Sequence, residues 1–256
     1  MPAGLSADAP ALVLAVAGNA GTPDVAAQIA SVVRVDNPAL DVRIARVGGR
    51  GEDGLPAVLA ATADGRAGGP AAVVVPLLAV PYPALITAIR QAVAGSDVNA
   101  TVAEPFDASL TFAEALHIRL ADARLARADR VRMFSIPTAA DGIIVATVGG
   151  GAAAAAATPT AVLLAARLAL PVFAASLDGN PSMGEAAAQL QHMGARRIAI
   201  APCIIGPEAR PGELEAACES IGADCAAPLG AHDSVARMMS LTYGQALAEL
   251  DSASSG

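Results

Sequence analysis

Several residue types are absent or scarce in this chain, and each absence excludes a class of function. There is no lysine, so all sixteen basic side chains are arginine. A Schiff base, a phosphate-binding lysine and a lysine general base are therefore excluded. There is no tryptophan and only 2% of the residues are aromatic, which argues against a surface that stacks nucleic-acid bases. The net charge of −8 also argues against a nucleic-acid partner, because binding to a phosphate backbone requires a cationic face.

Cysteines and long apolar runs are few as well. The three cysteines, Cys203, Cys218 and Cys225, match neither a disulfide framework nor the spacing of a zinc site. We expect reduced, largely buried thiols, as in cytoplasmic proteins. The first ten residues lack the pattern of a signal peptide, and the apolar stretch 142–157 is too short to cross a bilayer. The sequence therefore predicts a soluble, cytoplasmic protein with no membrane partner.

Two apolar runs that end in glycine organise the chain. Residues 12–17 run into Gly18 and Asn19, and residues 142–148 run into Gly149, Gly150 and Gly151. An uninterrupted apolar run bounded by glycine is typical of a strand that is buried on both faces of a parallel sheet. Each run is followed by a segment with helical periodicity, as expected where a parallel strand leads into its crossover helix.

The same alternation of strand and helix occurs twice. Pro202 matches Pro76 at an offset of 126 residues, and Gly149 matches Gly18 at an offset of 131 residues. Nearly constant offsets indicate two copies of one unit. We predict an α/β protein of two similar domains, residues 1–133 and 134–256. Each is predicted to contain a four-stranded parallel sheet with helices on both faces.

The predicted elements are as follows. The strands are placed at 12–17, 41–47, 71–80, 98–104, 142–148, 171–177, 197–205 and 224–228. The helices are placed at 25–33, 55–63, 83–94, 108–126, 159–168, 183–193, 213–221 and 234–250. Ligands of open parallel sheets bind beyond the carboxyl ends of the strands. We therefore expect a cleft between the two domains, lined by the loops 18–24, 81–84, 149–154 and 206–212.

The order and spacing of these segments resemble the class II chelatases, in their long two-domain form. The resemblance covers residues 11–250 and is carried by the end of the third strand, residues 74–78, by residues 195–214, and by residues 228–232 before the last helix. It implies insertion of Fe²⁺ or Co²⁺, as the substrate metal, into the tetrapyrrole sirohydrochlorin in sirohaem or cobalamin synthesis. It also implies that no nucleotide is needed. A homo-oligomer is compatible with the sequence.

The chain departs from this family where the family handles its metal. In the family, the first strand ends in Ala-His-Gly-Ser/Thr, and a second histidine follows the third strand. Here Ala17 occupies the first of these positions and Ala84 the second. Alanine can neither coordinate a cation nor accept a proton. The catalytic residues are therefore unassigned, and the carboxylates of Glu104 and Asp107 are the candidates for accepting the pyrrole protons.

The resemblance also implies which residues contact the tetrapyrrole. Sirohydrochlorin is a polycarboxylate, which gives an arginine guanidinium near a strand end a role in binding. Small residues at strand ends would leave room for a bulky planar ligand or for the facing domain. The predicted binding residues are Gly18, Asn19, Tyr82, Gly149, Gly150 and Arg210.

Two side chains are weak candidates for metal ligands, and both have a structural alternative. Cys203 lies near the end of a predicted buried strand, where a thiolate could bind a metal or a thiol could simply fill the core. His232 precedes the last predicted helix and could face the ligand or cap that helix. We interpret His117 and His192, on predicted helices, as structural, and Cys218 and Cys225 as core residues.

Three functions from different classes remain open. The first is a sirohydrochlorin chelatase that uses other groups in place of the two histidines. The second is a non-catalytic relative that binds a tetrapyrrole or a metal, as a carrier or a partner subunit. The third is a nucleotide-dependent enzyme, because residues 149–154 formally match Gly-x-Gly-x-x-Ala, with Asp178 at the end of the next strand.

Overall fold

The strands of the described residues form two four-stranded parallel sheets. The computed structural model describes residues 9–17, 23–62, 69–104, 109–127, 139–206 and 208–254. The strands of the first sheet are β1 (Ala11–Ala17), β2 (Val42–Val47), β3 (Ala72–Pro76) and β4 (Ala100–Val102), in the order β2-β1-β3-β4. The strands of the second sheet are β5 (Gly142–Thr147), β6 (Val172–Ser176), β7 (Ile198–Pro202) and β8 (Asp224–Cys225), in the order β6-β5-β7-β8.

Helices cover both faces of the first sheet. On one face, α2 (Leu55–Thr62) and α3 (Pro83–Ala94) pack against alternate residues of β1 such as Val13. The opposite face is covered by α1 (Pro23–Asp36) and α9 (Asp233–Ser254), which pack against each other. Because β1 and β3 are buried on both faces, their sequences are continuously apolar rather than alternating.

The second sheet is covered in the same way. On one face, α7 (Met183–His192) and α8 (Glu213–Ile221) share a core with Ile144 and Ala146 of β5. The remaining helices of this unit are α4 (Ser109–Asp122), α5 (Gly150–Ala156) and α6 (Thr158–Leu168), and α4 packs on α6 and β7. The predicted fold class, two parallel α/β sheets with helices on both faces, is confirmed.

The correspondence of Pro76 with Pro202 is confirmed by the strand register, whereas Gly18, the predicted counterpart of Gly149, lies outside the described residues. Pro76 ends β3 opposite Ala15 of the central strand, and Pro202 ends β7 opposite Ala146 of the other central strand. Both prolines therefore occupy the same place in their sheets, as the repeat predicts. A proline fits the final residue of a strand because little of the ladder continues beyond it.

One predicted loop is a helix. Residues 149–154 were expected to line the cleft as a loop, but α5 begins at Gly150 and runs to Ala156 before α6. Gly149, with a φ of 119°, is the N-cap of α5 and makes the turn out of β5. The alanine run continues as helix because alanine has the highest helix propensity of all residues.

The chain divides into two compact units that exchange their last helices. The first unit comprises Met1–Leu78, Pro83–Asp107 and Ala231–Gly256, and the second comprises Ala79–Tyr82 and Ala108–Gly230. Helix α4 thus belongs to the second unit, and α9 belongs to the first. In the first unit the fully buried Tyr243 of α9 donates its hydroxyl hydrogen to the carbonyl of Pro10 at 2.6 Å. The predicted boundary between residues 133 and 134 lies outside the described residues and stays a prediction.

Among the described residues, no single helix is both long enough and apolar enough to cross a bilayer. The consecutive helices α5 and α6 meet those requirements only when taken together, and they are bent by 44° where they meet.

Candidate functional site

The strand order identifies the edge of each sheet where a ligand is expected. In the first sheet the topological switch point lies between β1 and β3, and in the second it lies between β5 and β7. Ligands of such sheets bind at the carboxyl ends of the strands beside the switch point. Three of the four predicted loops, 18–24, 81–84 and 206–212, follow these strands. The fourth segment follows β5 as well, although it is the start of a helix.

The carboxyl edge of the first sheet is described only in part. Ala17 is half-buried at the end of β1, whereas Gly18 and Asn19 lie outside the described residues. Ala84 is exposed in the first turn of α3. Neither alanine brings a donor atom to this edge, so the two positions carry no metal chemistry.

Of the two candidate carboxylates, Glu104 and Asp107, only Glu104 lies among the described residues. Glu104 follows β4, the edge strand, and is not beside the switch point. Its Oε1 accepts a hydrogen bond from Nη2 of Arg90 at 2.6 Å, and its side chain is 63% exposed. This ion pair holds the carboxylate at the surface. Asp107 lies outside the described residues.

The carboxyl edge of the second sheet is more completely described, and there Tyr82 meets Gly149. Tyr82 belongs to the second unit, although it follows β3 in the chain. A Cβ atom built on Gly149 would lie 3.2 Å from both Cα and Cδ2 of Tyr82 and 3.1 Å from Cβ of Ala153. With the positive φ, this close approach explains the glycine. The structure therefore brings two of the predicted binding residues together.

The backbone N–H groups at the start of α5 donate hydrogen bonds to a carboxylate of the same chain. Oδ1 of Asp178 accepts hydrogen bonds from the backbone N–H groups of Gly149 and Gly150, both at 2.9 Å, and from the Ser176 hydroxyl at 2.7 Å. Partial burial opposes ionisation of Asp178, but these hydrogen bonds outweigh it and lower the pKa of the carboxyl group below its ordinary value of 3.8. We name Ser176, Asp178, Gly149 and Gly150 the Asp178 turn.

The Asp178 turn accounts for the glycines that resemble a dinucleotide motif. A Cβ on Gly151 would lie 2.6 Å from the carbonyl oxygen of Asn180, and a Cβ on Gly179 would lie 2.6 Å from Cα of Gly150. The glycines thus allow the segment after β6 to approach the start of α5. The amides that would receive a phosphate in a nucleotide-binding protein are bound by the chain's own carboxylate. We therefore set the nucleotide interpretation aside.

Arg210 lies at the same edge, beside the Asp178 turn. Its guanidinium Nε and Nη2 donate to Oε1 of Glu213, and its backbone N–H donates to Oε2 of Glu213 at 3.0 Å. These bonds and the negative charge of Glu213 raise the pKa of Arg210, and the negative charge of Asp178 raises it further. The side chain is 74% exposed, so the guanidinium can rotate toward an anionic ligand.

An open groove adjoins Arg210 on one face of the second sheet. Its volume is about 670 Å³, within the range of small-molecule sites. The groove lies between the starts of α7 and α8 and combines hydroxyl, apolar and charged groups. It is lined by Ser176, Leu177, Ser182, Met183, Gly184, Arg210, Pro211, Gly212, Glu213, Ala216, Ala217 and Ser220.

Two of the three histidines have structural partners through their ring nitrogens. His117 is buried in α4, where its Nδ1 accepts from Nε of Arg167 at 2.7 Å and its Nε2 lies 2.6 Å from the carbonyl oxygen of Arg127. Nδ1 of His232 accepts from the backbone N–H of Ser234 at 3.2 Å, at the start of α9. His232 therefore caps a helix. His192 is the exposed last residue of α7.

Cys203 is a buried core residue. It directly follows β7, with 1% of its surface exposed, and its pKa is raised to about 12 by burial and by the negative charge of Glu208. Without a bound metal, the thiol therefore stays protonated at neutral pH. The carboxylate of Glu208 is itself buried and accepts from the backbone N–H groups of Ile205 and Gly206 at 2.6 and 2.9 Å.

No metal-binding cluster is found among the described residues. Nowhere in that part of the chain do three or more histidine, cysteine, aspartate or glutamate side chains group so that they could hold an ion. Cys203 and His232 thus belong to no such group of three among the described residues.

Comparison with known proteins identifies the architecture. No protein-family model matches the chain, and no curated protein matches it. Among solved structures, the chain is similar to the sirohydrochlorin chelatase SirB from Bacillus subtilis subspecies spizizenii in complex with cobalt, with a TM-score of 0.63. The fold is chelatase-like. The similarity covers 93% of this chain and 95% of that protein, at 13% sequence identity.

Proposed function

We propose that this protein is a chelatase-like protein that binds a tetrapyrrole of the sirohydrochlorin type at the carboxyl ends of its strands. The observation that carries the proposal is the similarity of the fold, over 93% of the chain, to that of a sirohydrochlorin chelatase. The grouping of Tyr82, Gly149 and Arg210 at the switch point of the second sheet supports it. Tyr82 offers an aromatic face, and Arg210 offers a guanidinium to a ligand carboxylate.

Within this proposal, the described side chains favour binding over metal insertion. Insertion of Fe²⁺ or Co²⁺ requires groups that deliver the metal and remove two pyrrole protons. Neither Ala17 nor Ala84 can do either. His117, His232 and Glu104 have hydrogen-bond partners already, and Cys203 is buried with 1% of its surface exposed. We therefore place a tetrapyrrole carrier or partner subunit first and a chelatase second.

Absorption spectroscopy separates these two functions. Purified protein is titrated with sirohydrochlorin, and Fe²⁺ or Co²⁺ is then added while the spectrum of the macrocycle is followed. A carrier shifts the spectrum on binding but does not accelerate metal insertion over the protein-free reaction. A chelatase accelerates insertion. Absence of any spectral shift at saturating protein would overturn the proposal as a whole.

Restoring an imidazole tests the chemical reasoning directly. A neutral imidazole binds Fe²⁺ or Co²⁺ and titrates near neutrality, and general-base assistance contributes roughly 10²–10⁴-fold. Ala17→His, alone or with Ala84→His, should therefore accelerate insertion, while tetrapyrrole affinity stays within about twofold to threefold. A wild type as fast as a two-histidine chelatase would show that other residues carry the chemistry.

Replacement of Arg210 tests the position of the ligand. An exposed charge-assisted hydrogen bond to a carboxylate contributes ~1–2 kcal/mol, so Arg210→Gln should weaken sirohydrochlorin binding by about fivefold to thirtyfold. Arg196→Gln is the matched control, because the exposed Arg196 lies just before β7, at the opposite edge of the sheet. Equal effects of the two substitutions would argue against binding at the carboxyl edge.

A further inference from the structure

The fold brings together two cysteines that are seven positions apart in the sequence. Cys218 lies in the last turns of α8, which ends at Gly222 with a φ of 61°. The backbone N–H of Ala223 then donates to the carbonyl of Cys218 at 3.0 Å, so the chain turns back tightly on the helix. Two residues later, Cys225 lies in β8, opposite Ile200 of β7.

Packing places both thiols on the same face of the second sheet. Ile200 and Cys218 belong to one buried core cluster, and Cys225 packs against that cluster from the edge strand. The two side chains lie close enough for each thiol to affect the pKa of the other. The sulfur of Cys225 also lies 3.2 Å from the carbonyl oxygen of Ala226. The tight turn and the shared core cluster therefore place the two cysteine side chains near each other in the folded protein.

The two thiols differ in how accessible they are. Cys218 is 8% exposed, whereas Cys225 is half-buried on the edge strand. Because β8 is the last strand of its sheet, its outer side is not covered by another strand among the described residues. A small oxidant can therefore reach Cys225 more easily than Cys218.

We propose that Cys218 and Cys225 form an oxidisable dithiol, a modification site at which a hydroperoxide converts the two thiols to an intramolecular disulfide. The thiolate of Cys225, which has given its proton to solvent, attacks the peroxide oxygen and breaks the O–O bond. This gives a sulfenic acid and hydroxide or an alkoxide, which takes up a proton from solvent to become water or an alcohol. The sulfur of Cys218 then attacks the sulfenic sulfur, and its proton leaves with the hydroxyl group as water. Two electrons pass from the thiols to the peroxide, and one S–S bond forms.

The surroundings set the rate of this reaction. Burial raises the pKa of both thiols, and the negative charge of Glu215 raises them further. The reacting species is the thiolate. Oxidation is therefore slow at neutral pH and accelerates as the pH rises, unlike that of a rapid peroxide sensor with a low-pKa cysteine.

Peptide mapping of the oxidised protein tests the proposal. Native protein is treated with hydrogen peroxide, the remaining thiols are alkylated, and the chain is cut after glutamate. Cleavage separates residues 186–208, 216–219 and 220–249, each of which contains one cysteine. We expect peptides 216–219 and 220–249 to be joined, with a mass lower by two hydrogen atoms than the sum of the free peptides. The peptide that contains Cys203 should be alkylated only after unfolding.

Matched variants make the result specific. Cys203→Ser should form the same cross-link, whereas Cys218→Ser should leave Cys225 as a sulfenic or sulfinic acid. A cross-link that includes Cys203, or one that joins two copies of the chain, would overturn the proposal. So would conversion of both thiols in the wild type to sulfinic acids without a cross-link. The mapping of wild-type protein decides the question even if a variant folds poorly.

Discussion

Removal of the Asp178 carboxylate is the sharpest test of the described site. Three hydrogen bonds converge on the single atom Oδ1, two from backbone amides and one from Ser176. Hydrogen bonds to a charged group contribute about 1.5–3 kcal/mol each when buried. Because much of Asp178 remains exposed to solvent although it is partly buried, solvent screening reduces this contribution, and the bonds are not additive. We expect Asp178→Ala to lower the free energy of unfolding by about 2 kcal/mol at pH 7.

Asp178→Asn separates the contribution of the negative charge from the contribution of the hydrogen-bond acceptor. The amide oxygen of asparagine can occupy the position of Oδ1 and accept the same hydrogen bonds, so only the negative charge near the start of α5 is lost. Such a charge contributes roughly 0.3–1 kcal/mol. We therefore expect Asp178→Asn to lose about half as much stability as Asp178→Ala, or less.

The pH dependence provides an independent measurement. The hydrogen bonds lower the pKa of Asp178 in the folded protein below 3.8. The resulting stability is fully present above the unfolded value and is lost as the pH falls through the lower folded value. The difference between wild type and Asp178→Asn should therefore shrink below about pH 4. Urea unfolding at pH 7 and pH 3 measures it. The reasoning fails if Asp178→Ala is within 0.5 kcal/mol of wild type at pH 7 (about half the usual net value of one hydrogen bond), or if both variants lose the same stability.

Three further predictions concern packing and reactivity. Gly149→Ala should destabilise the protein by about 1–2 kcal/mol, because its φ is positive and its Cβ would meet Tyr82; Gly184→Ala, in helix α7 with open space around it, should stabilise by about 0.4–1 kcal/mol. Thermal unfolding compares them, and equal shifts would contradict the packing argument. Tyr243→Phe should cost ~1–1.5 kcal/mol in urea unfolding, since the buried hydroxyl bonds the Pro10 carbonyl; an unchanged stability would refute that role. Cys203 should resist a thiol reagent at pH 8 until the protein unfolds, and labelling as fast as that of free cysteine would contradict its burial.

The elements that were predicted most accurately carry local signals at both ends. Helices α3 and α8 begin and end at the predicted residues, 83–94 and 213–221. Pro83 is the first residue of α3, and a glycine follows each helix, at Gly95 and Gly222. Proline at the first helical position and glycine after the last are strong boundary signals.

Strand ends were predicted less accurately because burial continues beyond them. The third strand was placed at 71–80, yet β3 ends at Pro76. Leu77 and Leu78 are also buried, although they no longer pair as strand. An apolar run reports burial and not hydrogen bonding, so its length overestimates the strand. The same reason explains why the prediction of 197–205 exceeds β7, which is followed by the buried Cys203, Ile204 and Ile205.

The candidate site could be predicted only in part from the sequence. The strand ends and the grouping of Tyr82 with Gly149 follow from topology and composition. Asp178 and the neighbouring glycines were noticed as a nucleotide-like pattern, but the partner of the amides is the carboxylate itself. The proximity of Cys218 and Cys225 depends on the turn at Gly222 and on the strand register. The spacing of the two cysteines in the sequence does not reveal it.

The exchange of the last helices could not be predicted from the sequence of a duplicated chain. Periodicity identifies the apolar face of α4 and of α9 but not the sheet that each face covers. Because the two sheets are built alike, either offers a similar apolar surface, and only the path of the chain decides between them. Here α4 follows the first sheet and packs in the second unit, while α9 follows the second sheet and packs in the first. The two halves of the sequence and the two compact units are therefore different divisions of the chain, and each compact unit needs a helix from the other half to cover its sheet.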